Sequence, residues 1–323
     1  MNTLGTNFRV HIFGESHGPA VGILIDGVPP GIALHADDFV SDINRRKGGM
    51  QKGTTPRQET DMPIFQSGVF NGFTTGAPLT IIFENNNIRS SDYDKLRAIP
   101  RPGHADFVAH KKFKGFEDYR GGGHFSGRLT VCLVAAGVVA KKLIAPMHVE
   151  SVIEEIGGDT DITIGLQKAI DAKDSIGGIV SCKVANVPLG LGEPFFGSVE
   201  SLLAQAVFSI PAVKGIEFGA GFAAAKMFGS AHNDAIIDAD GNTATNHAGG
   251  ITGGITNGND ILFKVAIKPT SSTPKEQSSM NIETGQVELF SIKGRHDLCI
   301  ALRVPVVLES VTAIVLADLL RQQ

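Results

Sequence analysis

The sequence has no tryptophan, two tyrosines and three cysteines in 323 residues. Cys132, Cys182 and Cys299 lie far apart, each in an apolar run. Their odd number and wide spacing exclude a paired metal motif and a disulfide framework. Buried thiols in a reducing, cytoplasmic compartment are the expectation. A basic excess is missing too: 29 Lys and Arg face 33 Asp and Glu, a net charge of −4. Bulk electrostatics therefore argue against a nucleic-acid partner, although a local arginine cluster can still hold a phosphate. The opening stretch MNTLGTNFRVHIFGES has no apolar core and no cleavage site of a signal peptide. No window reaches the roughly 18 uninterrupted apolar residues of a membrane span, so no membrane partner is expected. Walker, GxGxxG and HExxH patterns are also absent.

Glycine is what the sequence has in plenty, 39 residues of it. Short clusters fall at Gly48-Gly49, Gly121 to Gly123, Gly177-Gly178, Gly249-Gly250 and Gly253-Gly254. Between periodic segments such clusters read as turns and close backbone approaches. Residues 21–28 read as a buried strand, and 79–84, 178–187, 216–224 and 260–267 as further strands. A helix is expected after Ala33, with Phe39, Val40 and Ile43 on its apolar stripe and Gly48 as its stop. It delivers Arg45, Arg46 and Lys47 to a basic run that continues to Lys52 and Arg57. SGRLTVCLVAAGVVAKKLIAP, from Ser126 to Pro146, is apolar nearly all round and predicts a central core helix. Helices are also expected over 198–210 and 308–320. Asn85 to Gly123 reads as one long polar loop. Gly72-Phe-Thr-Thr-Gly76 before one strand and Gly254-Ile-Thr-Asn-Gly258 before another suggest two related halves of an α+β fold.

Five polar clusters offer chemistry. GESHG places Glu15, Ser16 and His17 between glycines, where a ligand can approach the backbone. RPGHAD carries Arg101, His104 and Asp106. The abundant cations nearby argue against reading its H-x-D as a metal site, and none is expected. RGGGHFSGR leads into the core helix, so its free N–H groups suit a phosphate. Arg128 there is badly placed for the helix dipole and suits an anion instead. KPTSS (268–272) and KGRHD (293–297) complete the set.

Taken together, FRVHIFGESHGPAVGILIDGVPPG, RPGHADF, DYRGGG, SIPAVKGIEFGAGF, NHAGGITGGI, KPTSS and KGRHDLC resemble the chorismate synthase family, in family order along the whole chain. The resemblance implies one domain over 1–323, a β-α-β sandwich with helices between antiparallel sheets and an internal pseudo-twofold repeat, and a homotetramer. It implies a cytoplasmic lyase that eliminates phosphate from 5-enolpyruvylshikimate 3-phosphate with reduced FMN. By resemblance His17 is the general acid toward the phosphate, His104 protonates the reduced flavin, and Asp297 is linked to loss of the ring proton. Ser16, His17, Arg46, Arg101, Arg128 and Arg295 match substrate-binding positions. His124, Phe125, Ser126, Ala212, Gly253, Lys268, Pro269, Thr270, Ser271, Ser272 and Arg295 match the FMN site. Arg46 and Lys52 match positions associated with NADPH, the possible reductant if no external flavin reductase serves. The sequence departs from the family pattern at His124-Phe125, at Pro211 and at Lys52. A net hydride-transferring flavoenzyme and an arginine-rich RNA-binding protein are the rival readings.

Overall fold

In a computed structural model, which describes residues 2–49, 53–55, 59–86, 97–292 and 296–322, the elements fall into two runs, each built around one antiparallel sheet. The first run begins with β1 (Thr3–Leu4), β2 (Arg9–Gly14) and β3 (Ala20–Asp26). It continues through α1 (Val40–Arg46), β4 (Ile64–Ser67), the short pair β5 (Val69–Phe70) and β6 (Phe73–Thr74), and β7 (Leu79–Glu84). After α2 (Asp106–Lys112) it closes with α3 (Thr130–Leu143). The second run comprises β8 (His148–Ile156), α4 (Ile162–Ala172), β9 (Gly178–Ala185), α5 (Val199–Val207) and β10 (Val213–Phe218). There follow α6 (Gly229–His232), the pair β11 (Ile251–Thr252) and β12 (Ile255–Thr256), β13 (Ile261–Ile267), the hairpin β14 (Gln277–Met280) with β15 (Val287–Phe290), and α7 (Val304–Leu320).

Both large sheets are antiparallel throughout. The first has the order β1-β2-β3-β7-β4 and the second β10-β13-β9-β8. Setting β1 aside, the two orders are the same, with β8, β9, β13 and β10 standing for β2, β3, β7 and β4. One hydrogen-bond device also recurs. Thr74 Oγ1 donates to the Pro29 carbonyl (2.6 Å) and accepts from Ile32 N (3.0 Å). Thr256 Oγ1 donates to the Pro188 carbonyl (2.7 Å) and accepts from Leu191 N (2.9 Å). Each threonine pins the turn after its strand to the short pair that precedes β7 or β13.

Strand alternation makes the inner faces: Val21, Ile23 and Ile25 of β3 are buried, as are Leu79, Ile81 and Phe83 of β7. Burying each such side chain is worth about 1.5–3 kcal/mol. α3 packs on β2, β3 and β7, α7 packs on β8 and β9, and the two helices pack on each other. Gly137 permits that crossing, since a Cβ there would fall 2.3 Å from Ser310 Cβ. Ile300–Leu320 is apolar and long enough to cross a membrane, but 83% of that window is buried inside the molecule. It is a core helix. The polar groups within α7 are satisfied in place. Glu309 accepts from Arg45 (2.7 and 2.6 Å), Lys141 Nζ (3.0 Å) and Ser151 N (3.2 Å). Asp318 takes the backbone N–H groups of Thr6, Asn7 and Phe8 on its carboxylate.

Several expectations need correction. Val40 is 39% exposed, so of the expected apolar stripe Phe39, at the N-cap of α1, and Ile43, within it, are buried. The described part of the supposed loop 85–123 contains α2 and the start of a kinked turn over Arg120–Phe125 whose three glycines are non-helical. β10 starts and ends earlier than expected, and Gly221–Lys226 turns as a 3-10 segment instead. β8 and α4 had no counterpart in the sequence reading. All three cysteines are free and buried, and burial pushes the Cys132 and Cys182 thiols up to about 12.

Candidate active site

The three-glycine turn organises one wall of a cleft. Gly121, Gly122 and Gly123 have φ of +60°, +81° and +52°, a run that side chains would strain. A Cβ on Gly121 would lie 2.4 Å from His17 Cδ2, and one on Gly122 3.3 Å from His104 Cε1. The bare backbone therefore passes between the two histidines. Ser16 N donates to the Gly123 carbonyl (3.1 Å), and His124 Nδ1 donates to the Gly14 carbonyl (2.8 Å). These bonds fasten the turn to the end of β2. Ser126 caps the helix start by accepting from Arg128 N (3.3 Å).

Beyond that turn, a cleft of about 850 Å³ is lined by residues from both halves of the chain. Arginines dominate it. Arg46, in the last turn of α1, donates to Asp61 Oδ2 (2.8 Å), and Arg128 Nη1 donates to Asp61 Oδ1. Arg128 also donates to Asn85 Oδ1 (3.0 Å) and to the Glu84 carbonyl (3.2 Å). Asn85 Nδ2 in turn holds the Glu15 and Gly18 carbonyls, which flank Ser16 and His17 (3.0 and 2.8 Å). Arg303 donates to Asp297 Oδ2 (2.9 Å) and to the Arg46 carbonyl (2.8 Å). Asp297 Oδ1 accepts from Thr55 N (2.9 Å). Three guanidinium groups thus face two carboxylates in a partly apolar cavity with Leu133, Val304 and Val307 in its wall. An anion completes such a set.

His104 is held at Nδ1. Asp106 Oδ1, 2.5 Å away, can only accept and is nearer than the Arg101 Nη2 donor at 3.0 Å, so Nδ1 carries the hydrogen and Nε2 is left to meet a ligand. Arg101 grips the same carboxylate in bidentate fashion, Nε to Oδ2 at 2.7 Å and Nη2 to Oδ1 at 2.8 Å, and reaches Ser272 Oγ at 3.1 Å. Burial pushes the Asp106 carboxyl up, but the hydrogen bonds from Arg101 and His104 outweigh it. They hold the group well below its ordinary 3.8. A lowered folded-state value means stability that is present above the unfolded value and lost as pH falls toward the folded one. Asp106→Asn should therefore lower the melting temperature at neutral pH and flatten the acid limb of its pH dependence. Wild-type and variant melts that fall in parallel below pH ~4 would refute this.

The structure gathers most of the residues singled out in sequence. Arg46, Arg101, His104, His124, Phe125, Ser126, Arg128, Ala212, Lys268, Pro269, Thr270, Ser271, Ser272 and Asp297 all line the cleft. Ser16 and His17 are buried behind Gly121 instead of lining it. Gly253 sits at the turn between β11 and β12, away from the cleft. Lys52 and Arg295 lie outside the described residues. Pro211 lines the cleft beside Ala212, whose carbonyl accepts from Lys268 N (2.9 Å). Phe125 stacks at a tilt on Phe113, 6.2 Å between centroids. Asp61, Asn85, Thr55 and Arg303 were missed. Arg303 did carry a signal, because it precedes an apolar helix where a cation opposes the dipole, the argument that had marked Arg128.

The chorismate synthase family model matches residues 8–320. The chain belongs to the chorismate synthase family. A chorismate synthase of Chitinophaga pinensis is 67% identical over 319 residues, covering 98% of this chain and 96% of that one. One from Dehalococcoides mccartyi is 44% identical over 349 residues, with 98% and 96% covered. One from Thermococcus gammatolerans is 45% identical over 341 residues, with 97% and 96% covered. A crystal structure of chorismate synthase superposes with a TM-score of 0.77 at 26% identity, covering 98% of this chain and 93% of that one. Family and fold thus agree over nearly the whole chain.

Proposed function

We propose that this family member is a lyase that forms chorismate from 5-enolpyruvylshikimate 3-phosphate by 1,4-elimination of phosphate, with reduced FMN bound beside the substrate. This is the last step of the shikimate pathway to aromatic amino acids. The observation that carries the reading is the convergence of Arg46, Arg128 and Arg303 on one cleft that also holds His104 and Asp297. A substrate with a phosphate and carboxylates needs planar, bidentate cations, and guanidinium groups supply them.

The donors also fit a flavin mononucleotide. Thr270 Oγ1 and Arg46 Nε are buried with no hydrogen-bond partner among the described residues. Lys268 reaches Ser271 Oγ (2.8 Å) and the Gly103 carbonyl (3.1 Å), so the 268–272 segment faces the cleft as an ordered polar strip. His124, Phe125, Ser126, Ala212 and that strip would hold the cofactor, with Gly253 and Arg295 assigned to it by family match. When bound, reduced FMN supplies transient electron donation without net redox change.

The chain's own residues bind, orient and move protons. Arg46, Arg101, Arg128 and Arg295 hold the anionic groups. His17 is assigned as the acid toward the departing phosphate, its ring lying against Gly121, which is itself cleft wall. His104, fixed at Nδ1 by Asp106, would present Nε2 toward a bound reduced flavin as a site to hold and deliver a proton. Asp297, oriented by Thr55 and Arg303, takes the ring proton. Arg46 and Lys52 are the positions for NADPH if the protein reduces its own flavin, and an external flavin reductase is the other source. A β-α-β sandwich of two pseudo-twofold halves is the architecture we infer, supported by the repeated sheet order and the Thr74 and Thr256 pins. Phe195, Phe196, Phe222 and Phe228 are each more than 80% exposed, which supports an oligomer that covers them, and the homotetramer and the cytoplasmic location are assigned by family match.

The test is an anaerobic assay with the phosphorylated substrate, run once with FMN and NADPH and once with chemically reduced FMN. Chorismate absorbance and phosphate should rise together with no stoichiometric consumption of NADPH. Consumption of one NADPH per product would replace the lyase reading with a net oxidoreductase. Substrate and FMN should also tighten each other's binding, because both complete the same charged cavity. Equal FMN affinity with and without substrate in a titration would count against a shared cleft.

A further inference from the structure

We propose that Asp61 is a positioning residue, one that sets Arg46 and Arg128 in a fixed arrangement before any substrate anion arrives. The proposal rests on the reading that these two arginines hold the substrate. Asp61 lies just before β4, with a side chain that is 0% exposed. Its φ is +49°, a left-handed conformation that aspartate tolerates better than most residues. Its two carboxylate oxygens are divided, Oδ2 to Arg46 and Oδ1 to Arg128. Among the described residues neither arginine makes another carboxylate contact: Arg46 adds the Thr130 hydroxyl at 3.4 Å, and Arg128 adds Asn85 and the Glu84 carbonyl. Without Asp61, two buried guanidinium groups would face each other and Arg303 with no shared anion between them.

The site's charges make the alternative distinguishable. Asp61 is negative and the substrate is a polyanion. If only long-range attraction mattered, deleting the charge would tighten substrate binding. If Asp61 positions the forks, deleting it weakens binding even though the cleft becomes more positive. A second signature lies in pH. Arg46 is pulled down to about 10 by burial and then by Arg303, with Arg128 adding to the effect and Asp61 opposing it. The other groups toward Arg46 are the Thr130 hydroxyl, Asp297 through its bond to Arg303, and the neutral Cys132 thiol of α3. Lys47 and Glu59 line the same cleft. Removing Asp61 lowers Arg46 further, so its cation is lost earlier as pH rises.

The experiment is calorimetric titration of 5-enolpyruvylshikimate 3-phosphate into wild type and Asp61→Asn across about pH 7 to 10, with turnover measured in parallel. Folding is followed by circular dichroism. Positioning predicts affinity weaker by about tenfold to a hundredfold at neutral pH, the scale of a misplaced binding group. It also predicts an alkaline limb displaced to lower pH while the circular dichroism stays that of wild type, which a general loss of stability would not produce. Asp61→Glu keeps the charge and moves the carboxylate by one methylene, which guards against a variant that fails to fold. It too should bind less tightly than wild type. Unchanged or tighter binding in either folded variant would overturn the role of Asp61 while leaving the functional reading in place. A wild-type chain that neither binds nor converts the substrate would overturn both.

Discussion

His17→Ala is expected to reduce turnover about 10²- to 10⁴-fold, the range for loss of a general acid, while FMN still binds. The imidazole is 5% exposed and lies against Gly121, so its removal leaves a void behind a turn that no side chain props. The arginines proposed to hold the substrate are bonded to Asp61, Asn85 and Asp106 and should stay in place. Gly121→Ala separates chemistry from mere presence of the ring. It keeps the histidine but drives a methyl to 2.4 Å from Cδ2, in a left-handed conformation that a Cβ disfavours. Both variants should fail in single-turnover mixing with preformed reduced FMN, and substrate affinity should change far less than rate. Turnover of His17→Ala within about threefold of wild type would remove His17 from the proton inventory.

Asp297→Asn should be as severe in rate, for a reason the structure sharpens. In the wild type Oδ1 accepts from Thr55 N and Oδ2 from Arg303 Nη1. An asparagine can preserve only one of these bonds, because its amide nitrogen would meet a donor. Arg303 then loses its carboxylate while remaining bonded to the Arg46 carbonyl. The variant should therefore retain or tighten substrate binding, since a negative charge has left an anion site, yet stop before the ring proton leaves. Rapid mixing with substrate deuterated at that carbon reads the step directly. Wild type should show a primary isotope effect, and Asp297→Asn should show residual turnover reduced about 10²-fold or more. Near-normal turnover would reduce the KGRHD stretch to a structural turn.

How much of this was legible in the sequence depended on where the controlling partner lies. α3 was plain, because an apolar stretch bounded by Ser126 and Pro146 has few other ways to be buried. β3 and β7 were plain for the same reason. α2 was not, since Phe107 and Val108 point outward and only Ala109 is buried, leaving no apolar stripe to detect. β8 alternates, but with Glu150, Glu154 and Glu155 among its residues its inner face is thin, and Ser151 is one of the buried positions. The motifs that marked the family also marked most of the cleft. Asp61 escaped because what defines it is contact with Arg128, 67 residues away, and with the end of α1. An ion pair between distant segments has no period to read. His17 shows the converse: the motif drew attention to it, but only the fold revealed that a glycine backbone stands between it and the cavity.

The grip of Asp318 on Thr6, Asn7 and Phe8 spans 310 to 312 positions of sequence. Closure over such separations is entropically late and slows folding. During synthesis the first sheet can pair β1, β2, β3 and β7 long before α7 exists, yet the Thr6–Phe8 bend between β1 and β2 lacks its carboxylate acceptor until α7 emerges. A nascent chain halted before Asp318 should thus display a protease-sensitive leading end on an otherwise protected first sheet. The entry into the first sheet is tied off by a carboxylate more than three hundred positions downstream.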